Sequence, residues 1–233
     1  MTLLLLPNLL SEENLHALYL PPILGECMGQ LKGIIAESEK EARRYLKQFI
    51  PHFREIPIQL LNEHTKQHEI ELLLKPLLNQ QTWGLISDAG VPCIADPGHQ
   101  LVAKAYELGI QVEAFAGPSS ILLALMLSGL CAQKFAFHGY LSREEQELRT
   151  EIKKLEKEKI THLFIEAPYR SQKMLDLLLL TLNDKTKLCI ASDLTGQNQF
   201  VGTHTVEKWK QIAKPQINKK PTVFLFAVGS PFK

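Results

Sequence analysis

Two aspartates, Asp88 and Asp96, stand in one stretch of small and turn-forming residues, Gly84 to Gly98. It reads Ser87-Asp88-Ala89-Gly90-Val91-Pro92, then Ala95-Asp96-Pro97-Gly98. Small side chains let a ligand reach backbone N–H and C=O groups directly, and ligands of βα units bind at the carboxyl ends of the strands. Three further segments repeat the pattern of a strand followed by small residues. Gly117-Pro118-Ser119-Ser120 ends a strand and opens a helix, whose free N–H groups suit a carboxylate or a phosphate. Glu166-Ala167-Pro168-Tyr169-Arg170 and Ala191-Ser192-Asp193-Leu194-Thr195-Gly196 are the other two. Four such loops over both halves of the chain imply a cleft between two domains and a ligand read mainly by backbone. No zinc pattern, catalytic-triad motif, Walker loop or Gly-x-Gly-x-x-Gly is present, and no metal is expected. Of the histidines, only His64 in Asn62-Glu63-His64-Thr65 stands at a site edge, and a surface or structural role outweighs a chemical one.

These loops need strands and helices to position them. Trp83 to Ile86 is an apolar run bounded by turn formers, a buried strand. Asp96 reads as the N-cap and Pro97 as the first residue of a helix that ends at Gly109, with a strand over Ile110 to Phe115. Upstream, Leu3 to Leu6 is a first strand, Ser11 caps a helix over Glu12 to Leu20, and Gly33 to Ala36 is a second strand. Ser38 with Glu41 forms a capping-box pattern, and Ala42, Tyr45, Leu46 and Phe49 line one helical face. Ile56 to Leu60 is an edge strand by its Pro57, and Ile70, Leu73, Leu74 and Leu77 form another helical stripe. Alternating strand and helix predicts a parallel sheet covered on both faces.

The pattern breaks at residue 116, which places a domain boundary there: 1–115 and 116–233. The helix from Ser120 to Ser128 lacks a polar face and is expected to be buried between the two halves of the chain. Arg143 to Lys159 reads as a solvated helix with Leu148, Ile152 and Leu155 as its apolar line. Strands at Phe135–Phe137, His162–Ile165, Leu188–Ala191, Phe200–Thr203 and Val223–Val228 alternate with helices at Ser171–Leu182 and Val206–Ala213. Two consecutive strands before one helix predict a mixed sheet.

With 233 residues, 45% of them hydrophobic and 22% charged, the chain is an ordinary globular one. A formal charge of +1 gives no basic footprint over the whole chain. Cys27, Cys93, Cys131 and Cys189 have no metal-ligand spacing and are expected to be reduced thiols in a cytoplasmic protein. Leu3–Leu6 and Ile121–Leu127 are too short for a membrane span, and no membrane partner is expected.

The ordered motifs resemble one family. Ser87 to Pro92 and Ala95 to Gly98 are similar to the Ser-Asp-Ala-Gly-Thr-Pro…Ser-Asp-Pro-Gly signature of the tetrapyrrole methylase superfamily. The branch that methylates a cytidine ribose 2′-hydroxyl in small-subunit ribosomal RNA resembles the chain most. Ala36 to Arg44 is similar to its Ala-Glu-Asp-Thr-Arg…Ser-Arg, and Asn62 to Thr65 to its His-Glu-His-Asn. Gly117-Pro118-Ser119 matches Pro-Gly-Pro, Phe137 to Leu141 matches Tyr-Glu-Gly-Phe-Leu, and Glu166 to Arg170 matches Glu-Ser-Pro-His-Arg. The chain departs from that branch at Leu6 to Glu12, where both loop glycines are gone, at Ser192 to Gln199, and at Lys220-Pro221-Thr222.

The resemblance implies a fold of two α/β domains, the first with a mainly parallel sheet, the second with a mixed one, and S-adenosylmethionine (SAM) as cofactor in the cleft between them. It implies a SAM-dependent methyltransferase acting on ribosomal RNA, and a homodimer. By position, the cofactor contacts would be Pro7, Asp88, Gly90, Val91, Ile94, Ser120, Ile121, Ala167, Ala191, Pro221 and Thr222. A hydroxyl acceptor also needs a base, and Asp88, Glu37 and Glu63 are the available carboxylates. The departures leave two alternatives open: a methylase of a small tetrapyrrole-like acceptor, or a SAM-binding protein without catalysis.

Overall fold

A computed structural model describes residues 1–11 and 19–229, and the chain divides after Ser119 into two compact units. The helix expected over Glu12 to Leu20 falls almost wholly outside the described residues. The first unit runs β1 (Thr2–Leu5), α1 (Ile23–Met28), β2 (Gly33–Ala36), α2 (Glu39–Lys47), β3 (Ile58–Leu60), α3 (Gln67–Leu78), β4 (Thr82–Leu85), α4 (Gly98–Glu107) and β5 (Gln111–Ala114). Its sheet has the order β3-β2-β4-β1-β5, and every pairing is parallel.

Both faces of that sheet are covered, which is why β1 is a continuous apolar run. Side chains of one strand alternate between faces. Leu4 and Leu6 pack with Met28, Tyr45 and Leu46 of α1 and α2, whereas Leu3 packs with Leu74, Leu77 and Leu101 of α3 and α4. Right-handed crossovers account for the split. The chain moves one way along the sheet from β1 to β2 to β3, and the other way from β3 to β4 and from β4 to β5. The connections leaving β1 and β4 therefore fall on opposite faces, and the carboxyl ends of these neighbouring strands form a topological switch point.

The second unit runs α5 (Ser120–Leu127), β6 (Phe135–Phe137), α6 (Glu145–Leu155), β7 (Thr161–Glu166), α7 (Ser171–Thr181), β8 (Lys187–Ser192), β9 (Phe200–Thr205), α8 (Val206–Gln211) and β10 (Thr222–Ala227). The order β6-β7-β10-β8-β9 makes a mixed sheet, parallel only between β6 and β7. Phe224 and Phe226 of β10 face α6, α7 and α8, in a cluster with Leu148, Ile152, Leu178 and Trp209. Val223 and Leu225 face the other way, onto Ile121, Ala124 and Leu125 of α5. The buried Glu156 ties the end of α6 to the turn before β8, accepting from Asn183 N at 2.7 Å and Asn183 Nδ2 at 2.6 Å.

One expectation is corrected by this packing. Helix α5 is not buried all round: Leu122, Met126 and Leu127 are 54%, 77% and 50% exposed. Within its unit the helix has a single sheet to pack on, so only the face bearing Ile121, Ala124 and Leu125 is covered. A second, smaller difference lies at α4, which begins at Gly98 and not at Pro97. Asp96 still performs the capping work, because its Oδ1 accepts from Gly98 N at 2.7 Å.

Candidate functional site

In the first unit the candidate site is built where β1 and β4 end side by side. Pro7 and Asn8 leave β1, and Ser87 to Gly90 leaves β4. The two loops are locked together by Asn8, whose side chain is the fastening. Its Nδ2 donates to Ser87 O and to Asp88 O, both at 3.1 Å, and its Oδ1 accepts from Leu9 N at 2.8 Å. Its backbone N donates to Gly90 O at 2.8 Å, and Ser87 Oγ closes the turn on Ala89 O at 3.0 Å. Reading the sequence misses Asn8 as a site residue. An Asn directly after a strand-ending Pro is the local signal, but its partners lie some eighty positions away.

The glycines of these loops are required by geometry. Gly90 has φ +76°, and a Cβ there would sit 3.1 Å from Leu10 Cδ2 and 3.2 Å from Pro118 O. A Cβ on Gly117 would lie 2.0 Å from Pro7 Cβ, so the third loop closes directly against the first. Cys93 and Ala95 also have positive φ, 70° and 66°, so the segment between Gly90 and α4 holds strained backbone beside the switch point.

Two of the sequence-named carboxylates meet here. Glu37, just beyond β2, accepts from Asp88 N through Oε1 at 3.2 Å. Burial pushes the Glu37 carboxyl above the usual carboxylate range; the Asp88 N–H opposes this, and the negative charges of Asp88 and Asp96 add to it. Asp88 is also pushed up, first by burial and then by the charge of Glu41, with Arg44 acting against both. Asp96 is raised by burial against the pull of backbone N–H groups, and its Oδ2 is buried with no hydrogen-bond partner among the described residues. Glu63 is not brought into this group. It follows the edge strand β3, its side chain is exposed, and its neighbour is the exposed His64 at 3.7 Å. Of the remaining first-unit positions, Val91 is half-buried and Ile94 is exposed beside them.

In the second unit, the sequence-named positions gather at one end of its sheet. Thr222 pairs with Glu166 on one side and Ser192 on the other, which sets Ala167, Ala191, Pro221 and Thr222 within adjacent strand ends. Thr222 Oγ1 lies 3.0 Å from both Ser192 Oγ and Lys220 O, and Asp193 N donates to Pro221 O at 2.9 Å. Ile121, next to Ser120 at the start of α5, packs in one cluster with Ala191 and Val223. The four cysteines are free thiols, and no group of His, Cys, Asp and Glu able to hold a metal occurs among the described residues. No helix among them is long and apolar enough to cross a membrane.

The chain is 35% identical to the ribosomal RNA small subunit methyltransferase I of Halalkalibacterium halodurans, over 66% of this chain and 54% of that protein. It is 33% identical to the protein of the same name in Xylella fastidiosa, over 82% of this chain and 70% of that one. The chain thus spans little more than half the length of several curated relatives that it matches. Among solved structures, the methyltransferase CobJ superposes with a TM-score of 0.65 at 12% identity, over 98% of this chain and 93% of that one, a likeness of fold. The family model described as Tetrapyrrole (Corrin/Porphyrin) Methylases matches residues 32–209. With that match covering most of the chain and both sheets built as the signature implied, the protein belongs to the tetrapyrrole methylase family.

Proposed function

We propose that this chain is a SAM-dependent methyltransferase that acts on a ribose 2′-hydroxyl of ribosomal RNA in the cytoplasm. The observation that carries the reading is the Asn8-locked loop at the switch point, with Glu37, Asp88 and Asp96 clustered beside it. Backbone groups and small side chains fit a ligand recognised without long polar side chains. Carboxyls whose ionised form is disfavoured by burial fit a cationic one, because a nearby positive charge restores their ionisation. SAM is such a ligand, and when bound it supplies a methyl group on a sulfonium for in-line displacement.

Pro7, Asp88, Gly90, Val91 and Ile94 are the proposed cofactor contacts of the first unit, and Ser120, Ile121, Ala167, Ala191, Pro221 and Thr222 those of the second. Asp88 takes the proton of the acceptor hydroxyl, with Glu37 fixing the Asp88 backbone. The relatives named as ribosomal RNA methyltransferases support RNA as the acceptor.

Tritium transfer from labelled SAM to RNA, protein and small-molecule fractions tests the acceptor, and label in the RNA fraction is expected. Label confined to small molecules would replace the acceptor; no transfer with intact SAM binding would replace catalysis by binding alone. Calorimetry is expected to give one SAM per chain, with stabilisation of about 2.7 kcal/mol at a hundredfold excess over Kd. No heat and no thermal shift at saturating SAM would overturn the reading.

The protein is further proposed to work as a homodimer. A shallow groove of about 350 Å³ beside the edge strand β3 is lined by Leu60, Leu72 and Leu73 together with Gln59, Thr65 and Glu69, and Leu60 and Leu72 are 45% and 47% exposed. Exposed apolar surface on an edge strand and helix suits a second copy. Light scattering is expected to give the dimer mass, and a monomer mass at micromolar concentration would overturn it.

A further inference from the structure

Between α6 and α7 lies a groove of about 290 Å³, lined by none of the proposed cofactor contacts, although Glu166, Tyr169 and Arg170 flank Ala167 in the same loop. Its floor is apolar, made by the buried Leu148, Met174 and Leu177. Its rim carries Arg143, Tyr169, Arg170 and Lys173. The charges of this rim are unequally engaged. Arg170 is held by the buried Glu166, Nη2 to Oε2 at 3.3 Å, so its guanidinium is fixed in place. Glu145 is occupied by Arg149, which reaches Oε1 from Nη2 at 3.0 Å and from Nε at 3.2 Å. Lys173 is left with a loose contact to Glu145 at 3.9 Å, and the exposed Arg143 has no ion pair among the described residues. Tyr169 presents its ring to solvent, 69% exposed, although it sits in a tight turn between β7 and α7.

An unspent positive charge at the rim, an exposed aromatic ring and an apolar floor are the parts that a single-stranded nucleic acid uses. Phosphates go to the cations and a base stacks on the ring. We propose that this groove is an RNA-docking site: Arg143 and Lys173 take backbone phosphates, and Tyr169 stacks one unpaired base above Leu148, Met174 and Leu177. The proposal rests on the RNA reading of the function given above and adds where the strand is held. Arg170 acts as a rigid wall, since its charge is already balanced by Glu166.

Fluorescence anisotropy of a labelled, unstructured RNA of about ten nucleotides tests this, with the full chain and at several salt concentrations. Tyr169→Ala is expected to weaken binding about tenfold or more, and Tyr169→Phe to keep it, because stacking needs the ring and not the hydroxyl. Arg143→Ala is expected to flatten the dependence of log K on log salt by about 0.7, the loss of one phosphate contact. These residues are exposed at the rim, so the variants should melt like the parent. SAM calorimetry on the same preparations is scored separately. If the parent chain binds RNA and all three variants match it in affinity and salt slope, the groove assignment is wrong while the RNA reading stands. If the parent binds SAM but no RNA at low salt, both the groove and the RNA acceptor are overturned. Displacement of the RNA by polyglutamate, with Tyr169→Ala unchanged, would also overturn it in favour of an acidic protein partner.

Discussion

Gly90→Leu is expected to bind SAM about ten- to a hundredfold more weakly than the parent chain while the fold survives. At φ +76° any side chain but glycine's strains the backbone, and the cost is about 1–3 kcal/mol if the loop holds its shape. The loop cannot hold it easily. A Cβ would already crowd Leu10 Cδ2 at 3.1 Å and Pro118 O at 3.2 Å, and leucine adds three more carbons. Relaxation must therefore pull Gly90 O from Asn8 N and loosen the turn that Asn8 fastens. Residues 87–90 belong to neither sheet core, although Ile86 and Leu9 beside them do pack there, so the melting temperature should fall by only about 2–4 °C per kcal/mol lost. Calorimetry and a melting curve on the same sample check both halves. Parental SAM affinity in Gly90→Leu would make this loop an ordinary βα connection and place the site elsewhere.

Asp88→Asn should weaken SAM binding modestly, by the loss of one negative charge, and slow methyl transfer much more, by about 10²- to 10⁴-fold, the usual contribution of a general base. The loop is held through the backbone of residue 88: its C=O accepts from Asn8 Nδ2, and its N–H donates to Glu37. Asparagine leaves both bonds in place and is nearly the same size. What it removes is the proton acceptor. The pH profile gives a second readout. A base works ionised, so activity is present above its pKa and lost as pH falls through it. Burial raises the Asp88 carboxyl, so the acid limb is expected above the value of about 3.9 for a free aspartate, and the Asn variant should lose that limb. Glu37→Gln distinguishes the neighbours. Its Oε1 can still accept from Asp88 N, and transfer should continue if Asp88 is the base. If Asp88→Asn weakens binding and transfer by the same factor, Asp88 only shapes the turn.

Much of the scaffold can be read from local chemistry. Ser38 accepts from Glu41 N as the cap of α2, and Gly109 takes a positive φ after α4. The lines Ile70-Leu73-Leu74-Leu77 and Leu148-Ile152-Leu155 are the buried faces of α3 and α6. Pro57 stands at the start of an edge strand, and two consecutive strands do give a mixed second sheet. Each of these depends on residues within one or two turns of each other, so periodicity and caps suffice to fix them. The turn at Gly90 belongs in the same group, because a strand end followed by small residues demands a backbone that only glycine adopts freely.

Other features were decided by partners distant in the chain. Among Asp88, Glu37 and Glu63, spacing alone offers no preference. Only the order β3-β2-β4-β1-β5, with β2 beside β4 and β3 at the rim, sets Glu37 against Asp88 and leaves Glu63 in solvent. The role of Asn8 depends on β1 lying next to β4, a pairing of residues far apart in sequence. Helix α5 reads as buried because its composition is apolar on every side, yet packing on a single sheet covers only Ile121, Ala124 and Leu125. The sequence by itself determined which faces are apolar, where elements start and stop, and where loops of small residues follow the strands. The tertiary structure alone decided which carboxylates meet and what their burial does to them, because pairing and desolvation are properties of neighbours that the chain brings together only on folding.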